Sequence, residues 1–259
     1  MFGRFKTAMA SQSASLVRAV DVQMPLILLI WVGLASFACG LRITDPVTAG
    51  IGAGSTLVLI LPYALAVGGP VTAMLLALRV FPGGALYAQP EIRLARYGRW
   101  AQLDCVKVRR MRQFGASGWM VALMFMTLLN VPMRTVEYLA AIPALEGSSP
   151  AWLQLVFYAM TANLIVMGSL YAVAFVMALR LVAWFPRFIV MVWGVDLLLQ
   201  LGIGRLIVSA SDLPSAAATT LEAMLAGNIY KTGVSVALWL PYLLMSDRVN
   251  LTYRSRVRI

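Results

Sequence analysis

The chain has 259 residues, 61% hydrophobic and only 12% charged, with net charge +11 and no histidine. A soluble domain carries about twice that charge fraction, and the apolar surplus falls in long runs, so the sequence reads as an all-α, polytopic membrane protein. The missing histidine excludes Ser-His-Asp and Cys-His nucleophiles, His-ligated haem and most catalytic zinc or iron sites, so no metal or cofactor is expected.

Residues 1–23 form a polar, basic arm with Arg4, Lys6 and Arg18. The first apolar run, Met24 to Leu41, is read as a span and not as a signal peptide, since no small-x-small site leads into a soluble mature domain. Cys39, after Ser36-Phe37-Ala38, is read as an ordinary helical residue rather than a lipoprotein site. A turn containing Asp45-Pro46 leads to the second run, Gly50 to Leu78, which completes a two-helix hairpin over 24–80. Pro62 and Gly68-Gly69-Pro70 interrupt this run. A kinked packing helix is expected there, in preference to the broken helix of a transporter site. Gly50-x-x-x-Gly54 offers a weak close-contact motif.

Residues 81–114 are the only long polar segment between runs. They hold Arg93, Arg96, Arg99, Lys107, Arg109, Arg110 and Arg112 against two acids, Glu91 and Asp104. These basic residues do not keep to one helical face, so a solvated loop is expected rather than a surface-lying helix. Tyr97 and Trp100 suit the headgroup level.

Residues 115–246 read as a four-helix membrane domain. Its first run, Ala116 to Val131, closes at Asn130-Val131-Pro132, and Arg134 and Glu137 beyond it are placed to pair with each other on a helical turn. The next run, Ala151 to Leu179, is long enough to tilt or to extend beyond the bilayer, with Asn163 and Ser169 near its middle. Trp184-Phe185-Pro186-Arg187 then enters Phe188 to Val208, apolar except for Asp196, Gln200 and Arg205. Ser209 to Asn228 reads as a polar link whose Ala/Thr-rich centre forms a short helix. The sixth run is Ile229 to Met245, with Lys231 near its start and Pro241 near its end. The basic tail, 247–259, carries Arg248, Arg254, Arg256 and Arg258.

Six spans place both termini on one side. Seventeen of the 21 Lys and Arg fall on that side, so both termini are expected in the cytoplasm. Cys39 and Cys105 then face opposite sides, which argues against an internal disulfide. The basic residues sit at the ends of apolar runs, which points to a bilayer with anionic headgroups as the partner and not to nucleic acid. Arg109, Arg110, Arg112, Arg248 and Arg254 are the expected headgroup contacts.

Asp196 is the leading site candidate. It lies nine residues past Arg187, about 14 Å along a helix at 1.5 Å per residue, inside an apolar layer about 30 Å thick. A carboxyl there costs on the order of 3 kcal/mol even on the lenient insertion scale. Other helices must therefore shelter it, through a cation or several hydrogen-bond donors. Gln200 shares its face four residues on, Asn163 lies at comparable depth, and Arg205 is near the outer end. Two readings stay open: a proton- or cation-binding carboxylate, or a buried acid that ties helices together. Other membrane chemistries lack their residues. There is one buried acid where an aspartyl protease needs two, and neither Cys-x-x-Cys nor a Gly-x-x-x-x-Gly-Lys loop is present.

The C-terminal residues Leu238-Trp239-Leu240-Pro241-Tyr242, followed by Ser246-Asp247-Arg248-Val249 and Thr252-Tyr253, resemble the ending of a bacterial inner-membrane family known as domain of unknown function 2569. Its members end in a Trp-x-Pro-Tyr span, then Ser-Lys-Arg-Val and Thr-Phe. Trp184-Phe185-Pro186-Arg187 is similar to the Phe-Pro entry into the family's third helix, and Gly118-Trp119 resembles its opening. The likeness covers about Gly115 to Arg254. Asp247 stands where the family more often has Lys, and the first two spans and the basic loop lie outside the pattern. The resemblance implies a four-helix domain with two helices in front, in a bacterial inner membrane. It implies no activity.

The residues by themselves favour a non-enzymatic structural or accessory membrane subunit, partnered by a second copy or another membrane protein. Few polar groups lie within the spans, and a solute pathway usually needs more. The alternative is a small proton- or cation-coupled transporter or channel that uses Asp196.

Overall fold

The computed structural model describes residues 12–13, 15–44, 56–91, 98–111, 113–145, 149–209 and 213–259. Asp45-Pro46, Gly50-x-x-x-Gly54, Arg93, Arg96, Tyr97 and Arg112 lie outside the described residues.

Residues 15–22 are helical and lead into α1, Met24–Thr44. The remaining elements are α2 (Thr56–Val80), β1 (Trp100–Gln102), α3 (Cys105–Arg109), α4 (Trp119–Ala141), α5 (Ala151–Leu179), α6 (Phe185–Val208), α7 (Ser215–Met245), α8 (Asp247–Arg254) and β2 (Arg256–Arg258). Among the described residues, five helices are long and apolar enough to cross a membrane: α1, α2, α4, α5 and α6. The chain is thus a helical, multi-pass membrane protein.

α7 is longer than any of these, at 31 residues, but Glu222, Asn228 and Lys231 dilute it and it falls outside that set. It is one continuous helix where the sequence suggested a link followed by a span. The Ala216–Thr220 stretch explains the continuity. Alanine is the best helix former, and the Thr219 and Thr220 hydroxyls do not interrupt the helix because they are satisfied within it, on the Ser215 and Ala216 carbonyls at 2.9 Å. α4 likewise runs through Pro132 to Ala141, ten residues beyond the expected stop at Val131.

α5 is the centre of the bundle. It packs against α2, α4 and α6, while α7 leans mainly on α6 and α1 on α2 and α4. Its apolar residues surround the helix instead of forming one stripe, as befits a helix covered on most sides. The seam with α2 is unusually close. A Cβ on Gly168 would lie 2.9 Å from Pro70 Cγ, and one on Gly69 would lie 3.0 Å from Ile165 Cγ2. The Gly-Gly-Pro interruption is therefore a packing surface within a continuous helix. The Thr72 hydroxyl donates to the Gly68 and Gly69 carbonyls at 2.8 and 2.9 Å, satisfying backbone beside the proline.

The apolar core comes in two clusters. One holds Met124 and Val131 of α4, Met167 and Phe175 of α5 and Trp193 of α6. The other holds Tyr138 of α4, Phe157 and Leu164 of α5 and Ile203 of α6. On α4 and α6 the fully buried members of the two clusters break off at residues 132–137 and 194–202, although Val195 and Leu199 still pack on the first cluster. Arg134 and Asp196 lie within those stretches.

At one end the loop and the tail, separate in sequence, build a cap. β1 pairs antiparallel with β2, with Trp100 opposite Arg258 and Gln102 opposite Arg256. The Leu103 amide donates to the Ser255 carbonyl at 2.8 Å, and Gln89 Nε2 donates to the Tyr253 carbonyl at 3.1 Å. Ser246 caps α8 by accepting from the Val249 amide, the role for which serine is preferred. α8 buries Val249, Leu251 and Tyr253, and the Tyr253 hydroxyl donates to the Ala178 carbonyl at 3.1 Å. That bond straps the tail onto the tight α5–α6 turn, where Leu181 takes a left-handed φ of 55°. At the opposite end, Arg42 closes α4 by donating to the Ile142 carbonyl at 3.1 and 3.3 Å.

Candidate site: a buried acid bridged to three other helices

Asp196 lies on the buried face of α6 and is 0% exposed. Counting from Phe185 it sits about 16 Å along α6 at 1.5 Å per residue, midway along the helix. Four donors surround it. Arg134 of α4 pairs with Oδ2, which also accepts from Thr232 Oγ1 of α7 at 2.9 Å and from the Tyr171 hydroxyl of α5 at 3.5 Å. Gln200 Nε2, one turn along α6, donates to Oδ1 at 3.5 Å. One carboxylate thus links α4, α5, α6 and α7.

Arg134 is held in turn. Its Nε donates to Asn130 Oδ1 at 2.8 Å, and its guanidinium carbon lies 5.4 Å from the centre of the Tyr171 ring. A cation over an aromatic face contributes about 0.5–2 kcal/mol, more when desolvated. The side chain runs back toward the start of α4, the direction in which helical side chains lean. Arg134 does not pair with Glu137, contrary to the local spacing. Glu137 instead accepts from Lys231 Nζ of α7 at 2.5 Å, a direct bridge between α4 and α7.

Beside these bridges is a cavity of about 350 Å³ whose wall includes Arg134, Glu137, Asn163, Asn228 and Lys231, with Met160 and Met224 among its apolar members. Arg134 is 15% exposed while it holds Asp196. Asn163 is buried, and it faces this cavity without bonding Asp196. Its Oδ1 has no hydrogen-bond partner. A second opening, about 500 Å³, lies between α6 and α7 and includes Gln200, Arg205 and Glu222. Arg205 is exposed there and takes no part in the Asp196 cluster. Ser169 faces α2, its Oγ 3.5 Å from where a Gly69 Cβ would stand.

Of the residues expected at headgroups, Arg109 and Arg110 are exposed, with Arg109 Nη2 donating to the Gly84 carbonyl at 2.7 Å. Arg248 is half-buried and reaches the Gly115 carbonyl at 3.4 Å. Arg254 is a correction to the expected surface role. It is 4% exposed, inside the cap, and Nη1 donates to Asn250 Oδ1 at 3.0 Å. Burial, then the like charges of Arg256 and Arg187, lower its pKa to about 10.

Sequence reasoning found Asp196 and Gln200 but missed Arg134, Tyr171 and Thr232. A signal for the α4 extension was present. Thr127, Val131, Thr135 and Tyr138 recur at helical spacing across Pro132, and all are buried.

A family model described as "Protein of unknown function (DUF2569)" matches residues 115–254, more than half of the chain. No curated protein and no solved structure matches it.

Proposed function

This chain belongs to the DUF2569 family, and from that premise we propose that it is a non-enzymatic structural or accessory subunit of a bacterial inner membrane. In this reading α7 is a sixth span and both termini are cytoplasmic. The observation that carries it is the closure of the Asp196 cluster. The carboxylate has no exposed surface, and its partners come from four helices. A group meant to load and release an ion needs access, whereas this one is placed to fix helices relative to one another. The rigid four-helix unit then presents its outer apolar faces to a second copy or another membrane protein. Proteoliposome flux, measured with and without a pH gradient, tests the proposal. The expected result is no flux together with a stable co-purifying protein. Solute or proton flux lost in Asp196→Asn would overturn it.

The cavity favours a second reading, a small proton- or cation-coupled transporter. Arg134 reaches both the cavity and Asp196, so a solute entering there could compete for the guanidinium and free the carboxylate. Flux that survives in wild type and vanishes in Asp196→Asn would select this reading.

A further inference from the structure

We propose that the cap holds a phosphate-type oxyanion on the unused edge of Arg254, backed by the charges of Arg256 and Arg187. This does not depend on the accessory role. Arg254 ends α8, and its Nη1 donates to Asn250 Oδ1 at 3.0 Å; Arg256 Nε donates to the same oxygen at 2.8 Å. Two guanidinium groups therefore converge on one neutral acceptor. The remaining Arg254 donors, Nε and Nη2, are buried and have no hydrogen-bond partner. Those two N–H groups form the parallel side of the guanidinium fork, the edge that takes two oxygens of a carboxylate or phosphate at once.

Among the described residues no acid pairs with Arg254. The ion pairs there join Arg134 to Asp196, Arg180 to Asp21 and Lys231 to Glu137. The charges that bear on Arg254 are those of Arg256 and Arg187, both of its own sign. A buried cation with unmet donors is costly, and an anion on the fork removes that cost. A phosphate group supplies the two oxygens that the fork takes and carries more negative charge than a carboxylate, which suits a place where three arginines lie close together. The fork is closed off from solvent, so an arriving anion must shift part of its wall. The adjacent joint is Ser255, a left-handed residue at φ 48° between α8 and β2.

The phosphate could belong to an anionic phospholipid or to a soluble compound, and the full chain in neutral detergent separates the two. Its melting temperature is measured with inorganic phosphate against chloride at equal ionic strength, and with phosphatidylglycerol against phosphatidylcholine in the micelle. A specific rise with inorganic phosphate supports a soluble source, and a rise with phosphatidylglycerol alone supports a headgroup. No specific rise in either arm overturns the proposal. Arg254→Lys keeps a charge but loses the fork, and should weaken the response at least tenfold. Arg205→Gln, exposed near the end of α6 far from the cap, should leave it unchanged. Should Arg254→Lys fail to fold, Arg187→Gln replaces it and is expected to weaken the response at least threefold. A wild-type response in the folded variant would mean that the anion binds elsewhere.

Discussion

Arg134 and Asp196 are 62 residues apart in the chain and on different helices, yet they meet in a single ion pair between the two apolar clusters. The pairing answers a requirement that the sequence imposes. An acid at mid-depth needs a partner, and the partner arrives from a helix that continues through its own proline. It also makes the two residues dependent on each other.

That dependence predicts strong non-additivity. Arg134→Gln strands a buried carboxylate and should cost about 3–5 kcal/mol, the usual penalty for breaking one side of a buried pair. Asp196→Asn should cost less, because Arg134 is 15% exposed and can reach toward the cavity. The double variant should be more stable than the sum of the two single losses implies. Reversible unfolding in mixed micelles measures all three, and simple additivity would show that the two groups do not act as a pair.

At the α2–α5 seam the prediction rests on shape. Gly168→Ala places a methyl 2.9 Å from the rigid Pro70 ring, and overpacking of this kind costs about 1–3 kcal/mol. Gly194→Ala is the comparison, since no atom lies within 4 Å of its added Cβ. That change should be neutral or stabilising by up to about 1 kcal/mol, the helix preference for alanine over glycine. Equal melting temperatures for the two variants would remove the close contact from the account.

Much of this arrangement was legible in the residues. The apolar runs mark the spans because a bilayer demands long hydrophobic helices, and Asp196 with Gln200 stands out because polar groups are costly there. What could not be read is which helix supplies the counter-charge. Local spacing offers Glu137 to Arg134, and only the packing of α4 against α5 and α6 redirects Arg134 to Asp196 and leaves Glu137 to Lys231. The tail was misread for a related reason. Arg254 and Arg256 look like surface charges by composition, but α8 turns back under the bundle and both are buried. A pairing between residues 100–102 and 256–258 leaves no trace in the periodicity of either three-residue strand.

The tail should behave as a latch. Tyr253→Phe removes one hydrogen bond to the Ala178 carbonyl while keeping the ring, and should cost about 0.5–1.5 kcal/mol. Ser246→Ala removes the α8 cap and should cost about 0.5–2 kcal/mol. Both changes loosen the same segment, so limited proteolysis should cut within residues 246–259 faster in each variant than in wild type. Unchanged cleavage rates would mean that the tail is not held by these two bonds.

The two cysteines report orientation without any engineering. Cys105 is exposed at the basic end, beside the β1–β2 cap, whereas Cys39 is buried near the far end of α1. If the basic end faces the cytoplasm, a membrane-impermeant maleimide should leave Cys105 unmodified in intact spheroplasts and modify it once they are opened. Cys105→Ser should abolish that signal, because Cys39 is 5% exposed and should react only after unfolding. Rapid modification of Cys105 in sealed spheroplasts would put the cap outside. The excess of positive charge at that end would then have to be explained by something other than the bias that normally keeps Lys and Arg in the cytoplasm.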